Sequence, residues 1–513
     1  MTRAWRLAAA LVPLAFVALF FAYPLGAILE RGLTSAGGLS LPAGTAALLW
    51  FTIWQATVST ILTLAAGLPL AWAVGRFRFR GRSLTRGLVL VPFVLPTVVV
   101  AAAFLAALPD TYEGGIAAIL AAHVFFNVAV VTRIVGGAWA TIDPTPSEAA
   151  TVLGAGPWRR AREVTLPQLA PSVSASAALT FLFCFTSFGV ILILGGPGRG
   201  TLETEIYNRA ARQFDLQAAA ALSLLQLGAV AVVLAVASIL EGRAGAASTL
   251  TDERDVLRKP TRSERVALVS VLSLASLALV FPLAVLVERS LGSWGALFRE
   301  TPVLLVEPWQ AMVYSVAFAC VATLIAIVVG GLAAFSLARK PPGALDGFVL
   351  LPLGASAVML GFGFIIAFDS PPLEFRSSWW LVPVAQALVA TPFVIRIVTP
   401  ALRSIDPRLR ELASTLGASP SRIWLEVDLP LAGRAFAAAA GFAFAISLGE
   451  FGATVFVARA EQPTLPVAIF RFLGRPGEQN QGTAAVLAVV LAVIAVCAAL
   501  IAERAADGRA EVL

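Results

Sequence analysis

Apolar residues along the chain gather into twelve runs: 7–29, 46–74, 88–108, 116–137, 172–195, 217–240, 266–287, 311–338, 348–368, 380–402, 433–458 and 483–502. A helix needs about 20 apolar residues to cross a bilayer, and each run comes close to that length. The pattern predicts an all-α polytopic membrane protein with about twelve transmembrane helices. Two of the polar stretches between the runs repeat each other. The first, from Ile142, reads IDPTPSEAATVLGAGPWRRAREVTLP; the second, from Ile405, reads IDPRLRELASTLGASPSRIWLEVDLP. Polar residues recur in register at an offset of 263: Asp143, Pro144, Glu148, Gly154, Arg159 and Glu163 reappear as Asp406, Pro407, Glu411, Gly417, Arg422 and Glu426.

The register extends into the flanking runs. Arg133 matches Arg396, Phe188-Gly189 matches Phe451-Gly452, and Thr201-Leu202 matches Thr464-Leu465. The chain therefore divides into two pseudo-symmetric six-helix halves, 1–240 and 266–513, joined by a charged linker, 241–265, which lacks any apolar period. Each repeated stretch, 142–167 and 405–430, is expected to form a polar helical hairpin. Asp143 and Asp406 suit an N-cap, and Pro144 and Pro407 suit the first turn. Gly154 and Gly417 supply the positive φ that ends the first helix. A second helix from Pro157 or Pro420 is expected to stop at Leu166-Pro167 or Leu429-Pro430. Ile423, Trp424 and Val427 share one face of it, which suits packing on the membrane domain.

Composition agrees with a membrane protein: 59% of residues are hydrophobic, 13% are charged, and mean hydropathy is +0.87. The net charge of +7 follows topology and does not point to nucleic acid. With both termini inside, about 27 of the 37 Lys and Arg fall on the cytoplasmic side, as the positive-inside rule expects. Both hairpins then face the cytoplasm. Residues 1–29 resemble a signal peptide, but the run is long and lacks a clear cleavage site, so it reads as a retained first span.

Candidate chemistry is sparse. Cys184, Cys320 and Cys497 lie singly within spans and read as buried small hydrophobes, and no metal site is expected. His123, the only histidine, stands one helical turn from Asn127, which suits an interhelical hydrogen bond. Thr186, Ser187, Phe188 and Tyr207 in the first half, with Ser447, Glu450 and Phe451 in the second, are the candidates for lining a translocation pathway. Glu450 stands out because an ionisable group inside an apolar run costs about 2.5–3.5 kcal/mol on insertion scales and faces either a cavity or a buried partner. A helix end or an arginine would be such a partner. No G-x-x-x-x-G-K-[ST] motif is present, so ATP chemistry is not expected on this chain.

Glu148-Ala149-Ala150, Gly154, Val164 and Leu166-Pro167 resemble the "EAA" coupling loop of ABC-importer inner-membrane permeases; Glu411, Ala413, Gly417, Leu429 and Pro430 repeat it, with Leu412 for the middle Ala. The resemblance covers nearly the whole chain and implies a type I ABC importer permease fold made of two fused units. It also implies two copies of a cytoplasmic ABC ATPase docked on the hairpins, with ATP and Mg used by that partner and no cofactor on this chain. An extracytoplasmic binding protein would deliver the solute to a permease of the bacterial inner membrane. Fused permeases of this length resemble thiamine and ferric-iron importers. The run SFGVILILGGPGRGTLETEIYNRA, which holds Tyr207, is most similar to the thiamine group, leaving ferric iron as the alternative. An ion-coupled secondary transporter would need mid-membrane coupling carboxylates and no twin docking loops. A membrane enzyme would need clustered His, Asp or Glu.

Overall fold

The structure, a computed structural model, describes residues 3–33, 41–109, 114–196, 198–243, 257–338, 348–349, 351–369, 371 and 373–507. In chain order the helices are α1 (Ala10–Leu33), α2 (Thr45–Arg76), α3 (Arg82–Val94), α4 (Thr97–Ala107), α5 (Ile116–Trp139), α6 (Thr145–Val152) and α7 (Pro157–Phe185). The first half continues with α8 (Gly189–Leu194), α9 (Leu202–Tyr207) and α10 (Leu216–Arg243). The second half contains α11 (Arg262–Ser290), α12 (Pro308–Ala338), α13 (Ala357–Ala367), α14 (Leu381–Arg403), α15 (Pro407–Thr415) and α16 (Ser421–Gly449). It ends with α17 (Thr454–Val457), α18 (Leu465–Leu473) and α19 (Glu478–Asp507).

Among the described residues, ten helices are long and apolar enough to cross a membrane, or eleven if α3 and α4 count as one span. That pair is bent by 99° where Leu95 and Pro96 leave the helical region. The expected span 348–368 is reduced to a short turn and the eleven residues of α13. Among the described residues the count thus stays one or two below the expected twelve: Pro96 breaks the run 88–108 near its middle, and Pro352 stands near the start of the run 348–368. Residues 339–347 and 244–256, a loop expected in the cytoplasm and most of the expected linker, lie outside the described residues.

Within each half the two most extensive contacts of the repeated helices obey the repeat: α5 packs along α2 and α7, as α14 packs along α12 and α16. Lipid provides no hydrophobic drive between helices, so close approach rests on small residues. A Cβ on Gly67 would stand 2.7 Å from Val131, and one on its mate Gly330 would stand 2.9 Å from Val394. The first helix of each half crosses over to the other half. Helix α1 lies on α12 and α13, where Phe20 meets Phe364, Phe368 and Trp380 at ring distances of 6.0–6.5 Å. Helix α11 lies reciprocally on α2 and α4. Its entry is pinned by a short bridge: Arg78 N–H donates to the Arg258 carbonyl at 2.9 Å and Arg258 N–H to the Arg76 carbonyl at 3.2 Å. The Arg258 guanidinium covers the Phe77 ring and pairs with Glu264. Of the three cysteines only Cys184 is buried; Cys320 and Cys497 lie on the outside of the helical body, so the burial expectation fails for two.

Candidate functional site

The two hairpins stand between α5 and α7 and between α14 and α16, at matching places in the two halves. Their local rules operate as written in the sequence. The Asp143 carboxylate accepts from the Thr145 hydroxyl at 2.6 Å and from the Thr145 N–H at 2.9 Å, and Asp406 accepts from the Arg408 N–H at 2.9 Å. Those bonds hold the Asp143 carboxyl below the usual carboxylate range, so this turn is intact at neutral pH and loosens only as pH falls through the lowered value. Gly154 and Gly417 have φ of 81° and 82°, where a side chain would be strained. The Ala155 N–H then closes on the Ala150 carbonyl and the Ala418 N–H on the Ala413 carbonyl, satisfying the orphan carbonyls of the helix end.

One expectation is corrected. Leu166-Pro167 and Leu429-Pro430 do not stop the second helix; the chain passes through them into α7 and α16. In both copies a π-turn, Ala161–Thr165 and Trp424–Asp428, precedes the Leu-Pro, and its wider hydrogen-bond spacing accommodates a proline that has no N–H to give. The second helix of each hairpin is therefore continuous with the long helix that follows it. Glu148, Ala149, Glu411 and Leu412 are exposed, Ala150 and Ala413 half-buried. Beside them Leu153 and its mate Leu416 stand 86% and 88% exposed, apolar side chains presented outward from fixed positions. Arg159 and Arg422 pair with Glu163 and Glu426 on the hairpin surface.

The other site lies at the seam between the halves. Helix α7 breaks at Thr186–Phe188 and α16 at Glu450–Ala453, short of the ends expected for those runs. Irregular backbone at membrane depth is tolerated where protein surrounds it. The breaks are held close by glycines: a Cβ on Gly189 would stand 2.8 Å from Thr97, and one on its mate Gly452 would stand 2.9 Å from Ala357. Phe188 and its mate Phe451 stack across the seam at 5.3 Å. Tyr207 packs edge-on against Phe188 at 5.5 Å, against Phe456 at 5.5 Å and against Phe470 at 6.3 Å, while Phe470 packs on Phe451 at 5.4 Å. These rings close the seam, with Phe188 and Tyr207 contributed by one half and Phe451 and Phe470 by the other. Toward the hairpin end, a cavity of 360 Å³ lies among Arg86, Thr132 and Arg133 of the first half and Glu503 of the second.

The description "binding-protein-dependent transport system inner membrane component" fits two segments, 67–245 and 326–507, more than half of the chain and one segment per half. The chain belongs to this family. The thiamine transport system permease protein of Brucella abortus is 30% identical over 521 residues, covering 95% of this chain and 93% of that protein. The Escherichia coli protein of the same name is 28% identical over 471 residues, covering 86% of each. A solved bacterial ABC transporter involved in importing the acidic polysaccharide alginate is 17% identical, with a TM-score of 0.39 over 48% of this chain and 97% of that one. The chain is thus a multi-pass inner-membrane permease of the binding-protein-dependent type.

Most of the permease's polar pathway candidates have particular partners. Thr186 donates back to the Leu182 carbonyl at 2.9 Å, whereas the Ser447 hydroxyl is buried without a hydrogen-bond partner among the described residues. Ser187 meets His123 Nε2 at 2.9 Å, and His123 Nδ1 meets Ser59 at 3.0 Å, so the lone histidine bridges three elements as expected of an interhelical hydrogen bond. Asn127 donates to the Cys184 sulfur at 3.4 Å. Glu450 is engaged by a helix end: its carboxylate accepts from the N–H groups of Ala453 at 2.7 Å and Thr454 at 2.9 Å, opening α17. Glu450→Gln keeps one acceptor oxygen for two buried donors and is expected to cost about 1–3 kcal/mol. A lowered thermal midpoint of the purified permease is the expected reading; an unchanged midpoint would show that the carboxylate does not hold this turn.

Two seam residues escaped sequence reading. Phe470 was findable, being the mate of Tyr207 at the same offset of 263. Glu203 was not, because Pro466 stands at its matching position. It is wholly buried on α9, accepting from Gln226 of its own half at 3.0 Å and from the Ser356 hydroxyl of the other half.

Proposed function

We propose that this permease carries thiamine inward across the bacterial inner membrane as the channel-forming subunit of an ATP-driven importer. The termini and hairpins face the cytoplasm, and each hairpin docks in a cleft of one of two identical ATPase subunits, which hold ATP and Mg. An extracytoplasmic binding protein delivers the solute to the opposite face. The observation carrying the mechanism is the duplicated hairpin, with Glu148 and Leu153 matched by Glu411 and Leu416, exposed and continuous with the long helices.

Movement of the hairpins tilts α7 and α16, which lead into the breaks that hold Phe188 and Phe451, so opening and closing of the aromatic seam follows from the motion of those two long helices. Thr186, Ser187, Phe188, Tyr207, Ser447, Glu450 and Phe451 border or support that pathway. The substrate reading rests on the thiamine permeases resembled over almost the full length, and a cluster of ring faces suits an aromatic cation, at about 0.5–2 kcal/mol per cation–π contact. Uptake of labelled thiamine is the test, in cells lacking their own thiamine importer and supplied with this permease, its ATPase and its binding protein. Thiamine accumulation that stops without ATP is expected. Ferric-iron accumulation without thiamine uptake would overturn the substrate.

A further inference from the structure

The two hairpins share Glu148 and Glu411, Leu153 and Leu416, and Arg159 and Arg422 on their outward faces but differ at their roots. In the second, Arg410 on α15 turns back toward the membrane domain. Its Nε donates to Asp428 at 2.6 Å, its Nη2 to the Leu402 carbonyl at 3.0 Å, and its Nη1 more weakly to the Ile405 carbonyl at 3.5 Å. Asp428 is 1% exposed and closes the π-turn at the base of α16; Leu402 belongs to the last turn of α14. One guanidinium therefore ties the hairpin helix to both long helices it joins. Trp424 reinforces the root, its ring 4.8 Å from Phe335 and 6.1 Å from Phe436.

At the matching positions of the first hairpin, 263 residues earlier, stand Ser147, Thr165 and Ala161. Two hydroxyls cannot form an ion pair, and alanine has no ring to wedge. Among the described residues, the side-chain hydrogen bonds of that hairpin stay within it, as when Arg160 donates to Thr151. A buried charge pair with additional hydrogen bonds fixes geometry far more firmly than hydroxyl contacts do.

We propose that Arg410 and Asp428 are a positioning pair for transport, making the second hairpin the stiff handle and leaving the first compliant. Displacement of the ATPase then passes into α14 and α16 with little loss, and the two ATPase subunits, though identical, drive the permease unequally. This inference rests on the docking reading above.

The decisive variant is Arg410→Ser with Asp428→Thr, which gives the second root the first root's residues and leaves no buried charge unpaired. In the full permease in nanodiscs, a nitroxide at Ser414→Cys, with Cys320 and Cys497 replaced by Ser, is expected to gain rotational mobility in this variant. In the complete importer, ATPase co-purification and basal hydrolysis are expected to stay unchanged while solute transported per ATP falls several-fold. Arg410→Lys, which keeps the charge but loses the planar fork, should fall between. Unchanged transport per ATP overturns the proposal, as does loss of the ATPase from the complex, which would make the pair a docking determinant. Failure of the docking reading itself shows differently, as a wild-type permease with which no ATPase co-purifies.

Discussion

Replacing Glu148 and Glu411 together by arginine is expected to strip the ATPase from the complex and abolish uptake while the permease itself remains folded. Both carboxylates lie on exposed hairpin surface, and substitutions there usually change stability by no more than about 0.5 kcal/mol. Glu148 lies in the first turn of α6, where the helix dipole favours its negative charge. At an interface, loss of a central side chain costs about 2 kcal/mol or more, a factor of about 30 in affinity. Each single variant leaves one handle attached, and the second contact then forms at the high effective concentration of a tethered site, so single changes weaken the complex only partly. The double variant loses both attachments. Co-purification of ATPase per permease, measured beside the thermal midpoint of the permease alone, separates lost docking from lost folding. A double variant that retains its ATPase and transports normally would remove the coupling role from these hairpins.

The other large effect belongs to the seam. Phe188→Ala with Phe451→Ala removes a stacked pair at 5.3 Å and uncovers Tyr207 and Phe470 behind it. Each buried Phe→Ala change costs about 3–5 kcal/mol, and the lost aromatic pairing adds about 0.5–1.5 kcal/mol. Part of that loss appears as a lower thermal midpoint. The functional loss is the barrier itself: proteoliposomes holding the double variant are expected to release a small cation without ATP, whereas wild-type vesicles stay tight. Vesicles that remain sealed, with ATP-driven uptake intact, would show that the barrier lies elsewhere.

The hairpins were legible in the sequence because each of their devices is local. Asp143 and Asp406 bond two residues on, Gly154 and Gly417 take a conformation few other residues tolerate, and the repeat doubles the signal. Phe188, Phe451 and Tyr207 were legible because the repeat pairs residues that a pseudo-two-fold fold then brings together. Features made by pairing across long separations were hidden. Ser356 reaches Glu203 from the other half, Arg410 reaches Asp428 across the hairpin, and neither pair has a counterpart in the repeat. Helix breaks were also misplaced. Pro167 and Pro430 were read as stops although a π-turn carries the helix past them, whereas Pro96 bends a run that hydropathy alone shows as continuous.

The crossing of α1 onto α12 and α13 has a bearing on biogenesis. Ribosomes deliver α1 to the bilayer long before Pro308 and the residues after it have been made, so the leading helix must wait in lipid until its berth exists. The trailing body then receives it, and the bilayer holds a half-finished intermediate throughout that delay. Fusion of the two units in one polypeptide keeps the waiting helix tethered to the second half on which it finally packs.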